Sequence, residues 1–278
     1  MSDQKESGFN RPAVIPPSLT RAARAGRATE DEQLLKPPQP EQQSFIHTDP
    51  WRVLRIMGEF VEGFDALAEL GPAISIFGSA RVKEGDPQYQ ATVEVARLLG
   101  EAGLVIITGG GPGLMEAGNR GAKLAGAKSV GLNIELPFEQ GINPFVELGI
   151  EFRYFFVRKT MFVKYSRGYV IMPGGFGTMD EMFDALTLIQ TGKIRNFPLI
   201  LFGTEYWRGL VEWIKGTMLA GGKISEGDLD LILVTDSAEE TRDVIVQSMQ
   251  DSTWRTEQEE GARQTAKRVF SPPPGSYP

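Results

Sequence analysis

The chain has 278 residues, with 29 Lys plus Arg against 36 Asp plus Glu and a formal net charge of −7. That balance, without any local Lys/Arg run, argues against a protein that wraps nucleic acid, since neutralising a run of phosphates takes a basic face; small anionic ligands stay open. Cys is absent, which excludes disulfides and thiolate metal sites, and 41% hydrophobic with 23% charged residues is an ordinary globular mixture able to close a core.

Residues 1–47 carry Pro12, Pro16, Pro17, Pro37, Pro38 and Pro40 among polar residues and read as a tail without fixed structure. The start MSDQKESGFN lacks the apolar stretch of a secretion signal, and the longest apolar runs are strand-sized, so the reading is a soluble, cytoplasmic protein without membrane association. At Asp49-Pro50 a cap residue precedes Pro at a first helical position. Trp51, Leu54, Met57, Phe60, Val61, Phe64 and Leu67 then recur at helical spacing and predict an amphipathic helix. Ala73 to Phe77 reads as a strand that stops at Gly78-Ser79-Ala80. Asp86-Pro87 caps a helix running to about Ala102, and Gly103 stops it.

The alternation continues with a strand over Leu104–Ile107, a helix over Leu114–Ala125, and strands over Ser129–Ile134 and Glu151–Phe155. A short helix over Arg158–Ser166, a strand over Tyr169–Met172 and a helix over Met179–Thr191 come next. Leu199–Phe202, Tyr206–Met218, Leu231–Val234 and Ser237–Met249 complete it, the last helix opening on Asp236 with Glu239 three residues on, a capping box. From Ser252 to residue 278 the chain is again polar and Pro-rich. Apolar strands alternating with helices require a parallel sheet covered on both faces. The expected fold is therefore α/β, a Rossmann-like three-layer sandwich with a mostly parallel sheet of about seven strands, in one domain over residues 48–251. Right-handed crossovers bring the loops after the strands to one edge, where such folds bind ligands; Ser79, ending the first strand, belongs to that edge.

Two loops on that edge are glycine-rich. Thr108-Gly109-Gly110-Gly111-Pro112-Gly113 opens one helix, and Pro173-Gly174-Gly175-Phe176-Gly177-Thr178 opens another. Glycines let backbone N–H groups approach a ligand at the positive end of a helix, and phosphate is the natural guest. Thr178 either bonds a phosphate oxygen or caps its helix. A dinucleotide fingerprint fails, because Leu114 and Asp180 occupy its third glycine place, and no Gly-Lys-Ser/Thr exists for a P-loop. Asp180, Glu181 and Asp184 follow the second loop. Acids suit a first helical turn, yet beside a phosphate at least one must point sideways, where it can do chemistry. Arg158-Lys159 and Asn119-Arg120 read either as surface groups or as partners of an anionic ligand. Met161, Phe162 and Phe176 belong either to a base pocket or to the core. The sole His, His47, lies in the tail boundary, which argues against a His-based triad or His-ligated metal site.

The run Gly109-Gly110-Gly111-Pro112-Gly113-Leu114-Met115-Glu116, with Pro173-Gly174-Gly175-Phe176-Gly177-Thr178-Met179-Asp180-Glu181, closely resembles the LOG family, the "Lonely guy" cytokinin-activating enzymes and their bacterial relatives, often labelled lysine decarboxylases. The resemblance covers about Ile74 to Thr235. It implies hydrolysis of the N-glycosidic bond of purine nucleoside 5′-monophosphates, cytokinin riboside monophosphate and AMP, to free base and ribose 5-phosphate, without cofactor or metal. It also implies Arg158 and Glu181 as catalytic residues, and Gly174, Gly175, Gly177 and Thr178 as the phosphate cradle. Gly109, Gly110, Gly111, Lys159, Met161 and Ser79 are the expected further substrate contacts. A homodimer is the implied minimal unit, with hexamers in longer bacterial forms. Two other readings compete, a non-catalytic nucleotide carrier or sensor of the same superfamily and a pyridoxal-dependent lysine decarboxylase; the second lacks a Ser-x-His-Lys segment.

Overall fold

The computed structural model describes residues 13–15, 28–37, 49–136 and 141–251. Its strands are β1 (Ala13–Ile15), β2 (Ala73–Phe77), β3 (Val105–Thr108), β4 (Ser129–Ile134), β5 (Leu148–Phe152), β6 (Ser166–Ile171), β7 (Leu199–Phe202) and β8 (Ile232–Thr235). The helices are α1 (Glu30–Leu34), α2 (Asp49–Leu67), α3 (Pro87–Glu101), α4 (Leu114–Leu124), α5 (Phe155–Tyr165), α6 (Phe176–Gln190), α7 (Thr204–Trp213), α8 (Glu226–Leu229) and α9 (Ala238–Gln250), with a π-helical turn over Ile214–Leu219.

The strands form one sheet in the order β1-β5-β4-β3-β2-β6-β7-β8, with every pairing parallel. Because β2, β3, β4 and β7 are buried along their whole length, apolar layers must cover both faces. On one face α2, α5, α6 and α7 pack over a core that includes Phe77, Phe152, Phe162, Tyr169 and Trp207; on the other, α3, α4 and α9 pack over Ile74, Ile76, Leu99, Ile106 and Leu114. From β2 the chain moves outward through β3, β4 and β5, then returns to place β6 on the opposite side of β2. Such a reversal leaves a crevice at the carboxyl ends of the strands, and the ligand site of an open α/β sheet lies there.

Two expectations need correction. Residues 1–47 were expected to lack structure, but Ala13–Ile15 pairs in parallel with Leu148–Ile150 as an eighth, edge strand. Glu30–Leu34 forms a helical turn closed by a complete Thr29/Glu32 capping box, which satisfies backbone donors that proline counting does not register. The cap of α9 is Ser237, whose hydroxyl accepts from the Glu240 N–H at 3.0 Å; Asp236 instead accepts from the Thr204 N–H at 2.7 Å and ties the starts of α7 and α9 together. His47 and the tail from Ser252 lie outside the described residues.

The apolar stripe expected on α2 is real, but most of it faces outward. Leu67 is buried and Phe60 packs against the core, whereas Leu54, Met57 and Val61 are more than half exposed. The inward face carries Arg52, Glu59 and Gly63 instead. Glu59 is buried and accepts from the Arg153 and Tyr154 N–H groups at 3.0 Å and from the Arg153 guanidinium Nε at 3.0 Å. It therefore fixes the turn from β5 into α5, the helix that carries Arg158.

Candidate active site

The crevice is a cleft of about 840 Å³. The loops after β6 and β2 form one end, Gly109 and Arg158 its middle, and Asn133, Ile134, Leu136 and Phe155 the other end.

At the first end α6 starts at Phe176, with Gly175 as its N-cap and no side-chain cap. The Gly175 carbonyl accepts from the Thr178 and Met179 N–H groups, both at 3.0 Å, so the helix begins tightly. The earlier N–H groups, those of Gly175, Phe176 and Gly177, have no hydrogen-bond partner among the described residues and line the cleft, the arrangement that suits an oxyanion. Thr178 is buried and leans over Gly174 so closely that a Cβ there would lie 2.1 Å from its Oγ1. Its hydroxyl makes no cap hydrogen bond and is available to a guest. The cradle is braced from two sides, by the Tyr206 hydroxyl donating to the Gly174 carbonyl at 2.6 Å and by the Ser79 N–H donating to the Pro173 carbonyl at 3.0 Å.

One turn into α6 the two acids separate. Asp180 is exposed and bonded to Lys159 Nζ at 2.8 Å. Glu181 is buried, and its Oε2 has no hydrogen-bond partner. Burial pushes the Glu181 carboxyl up to about 7, against the opposing pull of Arg158 and Lys159. Facing it, Arg158 is half-buried, and desolvation draws its guanidinium down to about 10 while Glu181 acts in the opposite direction. Arg158 Nε donates to the Leu132 carbonyl at 2.8 Å, and the guanidinium carbon sits 5.1 Å from the Phe162 ring centre, which fixes the plane of the group. Gly109 leaves room beside it: a Cβ there would lie 2.7 Å from the Arg158 Nη2 and push the guanidinium aside. The result is a desolvated acid near neutrality and a held cation, close to a bare helix N-terminus. Such an arrangement can seat a phosphate, take a proton and stabilise positive charge.

The family model described as "Possible lysine decarboxylase" matches residues 115–245. An uncharacterized protein of Archaeoglobus fulgidus is 32% identical over 133 residues, 47% of this chain and 83% of that one. A pyrimidine/purine nucleotide 5′-monophosphate nucleosidase of Escherichia coli is 31% identical over 145 residues, 47% of this chain and 32% of that one. A cytokinin riboside 5′-monophosphate phosphoribohydrolase of Mycobacterium tuberculosis is 30% identical over 84 residues, 30% of this chain and 44% of that one. The chain belongs to the LOG family. Its match spans about a third of the E. coli relative's length and under half of the mycobacterial one's. Both relatives carry the names of hydrolases acting on nucleotides. A solved structure of a structural-genomics target has the same fold, with a TM-score of 0.50 and 22% identity over 63% of this chain and 99% of that one.

Within this LOG-type cleft, Arg158, Glu181, Gly174, Gly175, Gly177, Thr178, Ser79 and Gly109 come together as lining residues. Four expected contacts do not join them. Met161 is fully buried in the core, its thioether against Gly63 of α2. Lys159 lies outside the lining and is occupied by Asp180. Gly110 and Gly111 turn away from the cleft: Asn143 donates its N–H to the Gly110 carbonyl at 2.8 Å and its amide Nδ2 to the Gly111 carbonyl at 3.0 Å. Asn119 anchors this arrangement, accepting from Thr108 Oγ1 and Asn143 Nδ2 and donating to Ser129 Oγ and the Val130 carbonyl, so it is structural; Arg120 pairs with Glu84. Phe162 is core and Phe176 stands almost wholly exposed at the mouth. The sequence reading missed Arg81, Asn133, Phe155 and Tyr206, which line the cleft from a loop, a strand end and the first turns of α5 and α7 without any motif; the shared edge of the parallel sheet was the available signal.

Proposed function

We propose that this chain hydrolyses the N-glycosidic bond of purine nucleoside 5′-monophosphates, cytokinin riboside monophosphate and AMP among them, to free base and ribose 5-phosphate. The observation that carries the reading is Glu181, a buried carboxyl near neutrality with an unengaged oxygen, set one turn beyond the glycine cradle at the start of α6. The 5′-phosphate sits on the N–H groups of α6 with the Thr178 hydroxyl, and this binding energy orients the ribose. Cleavage builds positive charge on the sugar, which the ionised Glu181 stabilises while it accepts a proton from the attacking water. The water oxygen bonds C1′, the C1′–N electron pair leaves with the base, and the base nitrogen takes up a proton. Arg158 stays cationic and holds the ligand. Asp180, outward and tied to Lys159, is the weaker candidate base.

A pyridoxal-dependent decarboxylation fits less well, because it requires a lysine for the aldimine and no lysine lines the cleft among the described residues. The reading implies a compartment that supplies nucleoside monophosphates, the cytoplasm; among the described residues no helix is long and apolar enough to cross a membrane. The minimal unit in this proposal is a homodimer. Its support is the exposed row Leu54, Met57 and Val61 on α2, continued by Phe155 and Phe156 at the start of α5, since an apolar surface of this kind marks an association face. Light scattering of wild type against Leu54→Glu with Val61→Glu tests that point, and an unchanged mass refutes it.

The deciding experiment is chromatography of AMP and N6-isopentenyl-AMP after incubation with wild type and with Glu181→Ala, beside the matching nucleosides. Free base from the monophosphates alone, lost in the variant while binding persists, is the expected result. Intact nucleotide after long incubation with stoichiometric wild type overturns the reading in favour of a carrier or sensor.

A further inference from the structure

Asn133 stands at the last-but-one position of β4, at the end of the cleft away from the cradle. It is 5% exposed, too buried to be a solvated surface amide. The Ile134 N–H donates to its Oδ1 at 2.9 Å. A backbone N–H donates only to an oxygen, so this bond fixes which way the amide is turned. The Nδ2 group therefore points away from that contact. It has no hydrogen bond among the described residues, and it is not one of the sealed polar atoms left without a partner, so it keeps a small opening onto the cleft. Around it stand Ile134, Leu136 and Phe155, an apolar wall with one donor in it.

The sheet order places this donor at a telling distance. From the cradle on β6 to β4 are three strand steps, through β2 and β3, or about 14 Å at about 4.8 Å per step. A nucleoside monophosphate with its phosphate on the cradle and its sugar between Arg158 and Glu181 extends its base into this end. We infer that Asn133 is the base-reading residue of the cleft, its Nδ2 donating to a ring nitrogen of a purine held against Leu136 and Phe155. This rests on the reading of the cleft as a nucleoside monophosphate site, and it adds the group that chooses the base. The committed Oδ1 makes Asn133 a one-sided reader that rewards an acceptor on the base and gives nothing to an amine. An N6 substituent is thus free of it.

Asp at this position keeps the oxygen that Ile134 uses and removes the donor, so Asn133→Asp separates reading from structure. Binding is measured by calorimetry on full-length protein carrying Glu181→Gln, which prevents turnover, with AMP, 1-deaza-, 3-deaza- and 7-deaza-AMP, and ribose 5-phosphate. With Asn133 present, one of the three deaza nucleotides is expected to bind about 10- to 100-fold more weakly than AMP. In Asn133→Asp and Asn133→Ala that difference falls to within about threefold, AMP itself weakens by the same factor, and ribose 5-phosphate binds as before. Equal affinity for all four nucleotides with Asn133 present, or a deaza penalty that survives in Asn133→Asp, overturns the inference. Because the readout is binding, a wild type that cleaves nothing yet shows the coupling would remove the hydrolase reading and leave this one standing.

Discussion

Keeping Glu181 buried and ionised should cost the fold stability in a way that pH reveals. Its carboxyl titrates at about 7 in the folded protein against 4.5 ordinarily, a rise of about 2.5 that corresponds to about 3 kcal/mol. Below pH 4.5 the group is protonated in both folded and unfolded chains and costs nothing. As pH climbs from 4.5 to 7 the unfolded chain ionises first, so stability is lost through that window, and above 7 the loss is complete. Glu181→Gln is neutral throughout and escapes this loss. The linkage relation gives the wild type a deficit of about 0.8 kcal/mol at pH 5 and about 3.3 kcal/mol at pH 8. The melting temperature of the variant relative to wild type should therefore gain about 5 to 10 °C between those pH values, at about 2 to 4 °C per kcal/mol. Calorimetric scans of both proteins from pH 4.5 to 8.5 make the comparison, and any constant effect of the amide cancels. Parallel curves would refute the argument that desolvation dominates at Glu181.

The same ionisation sets the rate: kcat/KM for AMP should rise with pH, reach half its maximum near 7 and level off about one unit higher, and a plateau already reached at pH 5 would remove Glu181 as the base. Glu59→Ala leaves Arg153 buried without its partner and the Arg153 and Tyr154 N–H groups without an acceptor, and should lower stability by about 3 to 5 kcal/mol in urea unfolding; an unaffected variant contradicts the role assigned to the β5–α5 turn. Gly174→Ala puts a Cβ 2.1 Å from Thr178 Oγ1, so the hydroxyl must leave the cradle and KM for monophosphates should rise at least about tenfold, while a KM equal to wild type dissociates Thr178 from phosphate binding.

The parallel sheet was legible because its strands are continuous apolar runs between capped helices, and the cradle because two glycine-rich loops, each after a strand and before a helix, share one edge, where a single such loop reads equally well as a tight turn. Arg158 and Glu181 were singled out by the family resemblance; the residues alone left Asp180 and Asp184 open beside Glu181 and a surface reading open for Arg158. Lys159 and Met161 misled for a geometric reason. Lys159, one residue on from Arg158, is carried about 100° round the helix and faces Asp180, whereas Met161 shares the Arg158 side of α5 but is buried in the core against Gly63. Gly110 and Gly111 resemble Gly109 in sequence, but Asn143, which holds them, is 32 residues from Gly111 along the chain. Asn133 and Arg81 gave no signal, since a polar residue at a strand end becomes a cleft residue only when the order of strands is known. The outward stripe of α2 has the same period whether it meets the core or another surface, so periodicity could not say which.

The three residues Ala13–Ile15 have a consequence for any attempt to shorten this protein. β5 would otherwise end the sheet with a row of open N–H and C=O groups, and it carries Leu148, Ile150 and Phe152. An apolar strand left open in this way recruits strands from other molecules, whereas a three-residue strand is too short to template much of anything. Trimming to residue 49, which a reading of the leader as dispensable would invite, exchanges a blunt border for an adhesive one. The leader works here as a selvedge, the narrow finished margin that keeps woven cloth from joining or fraying at its side.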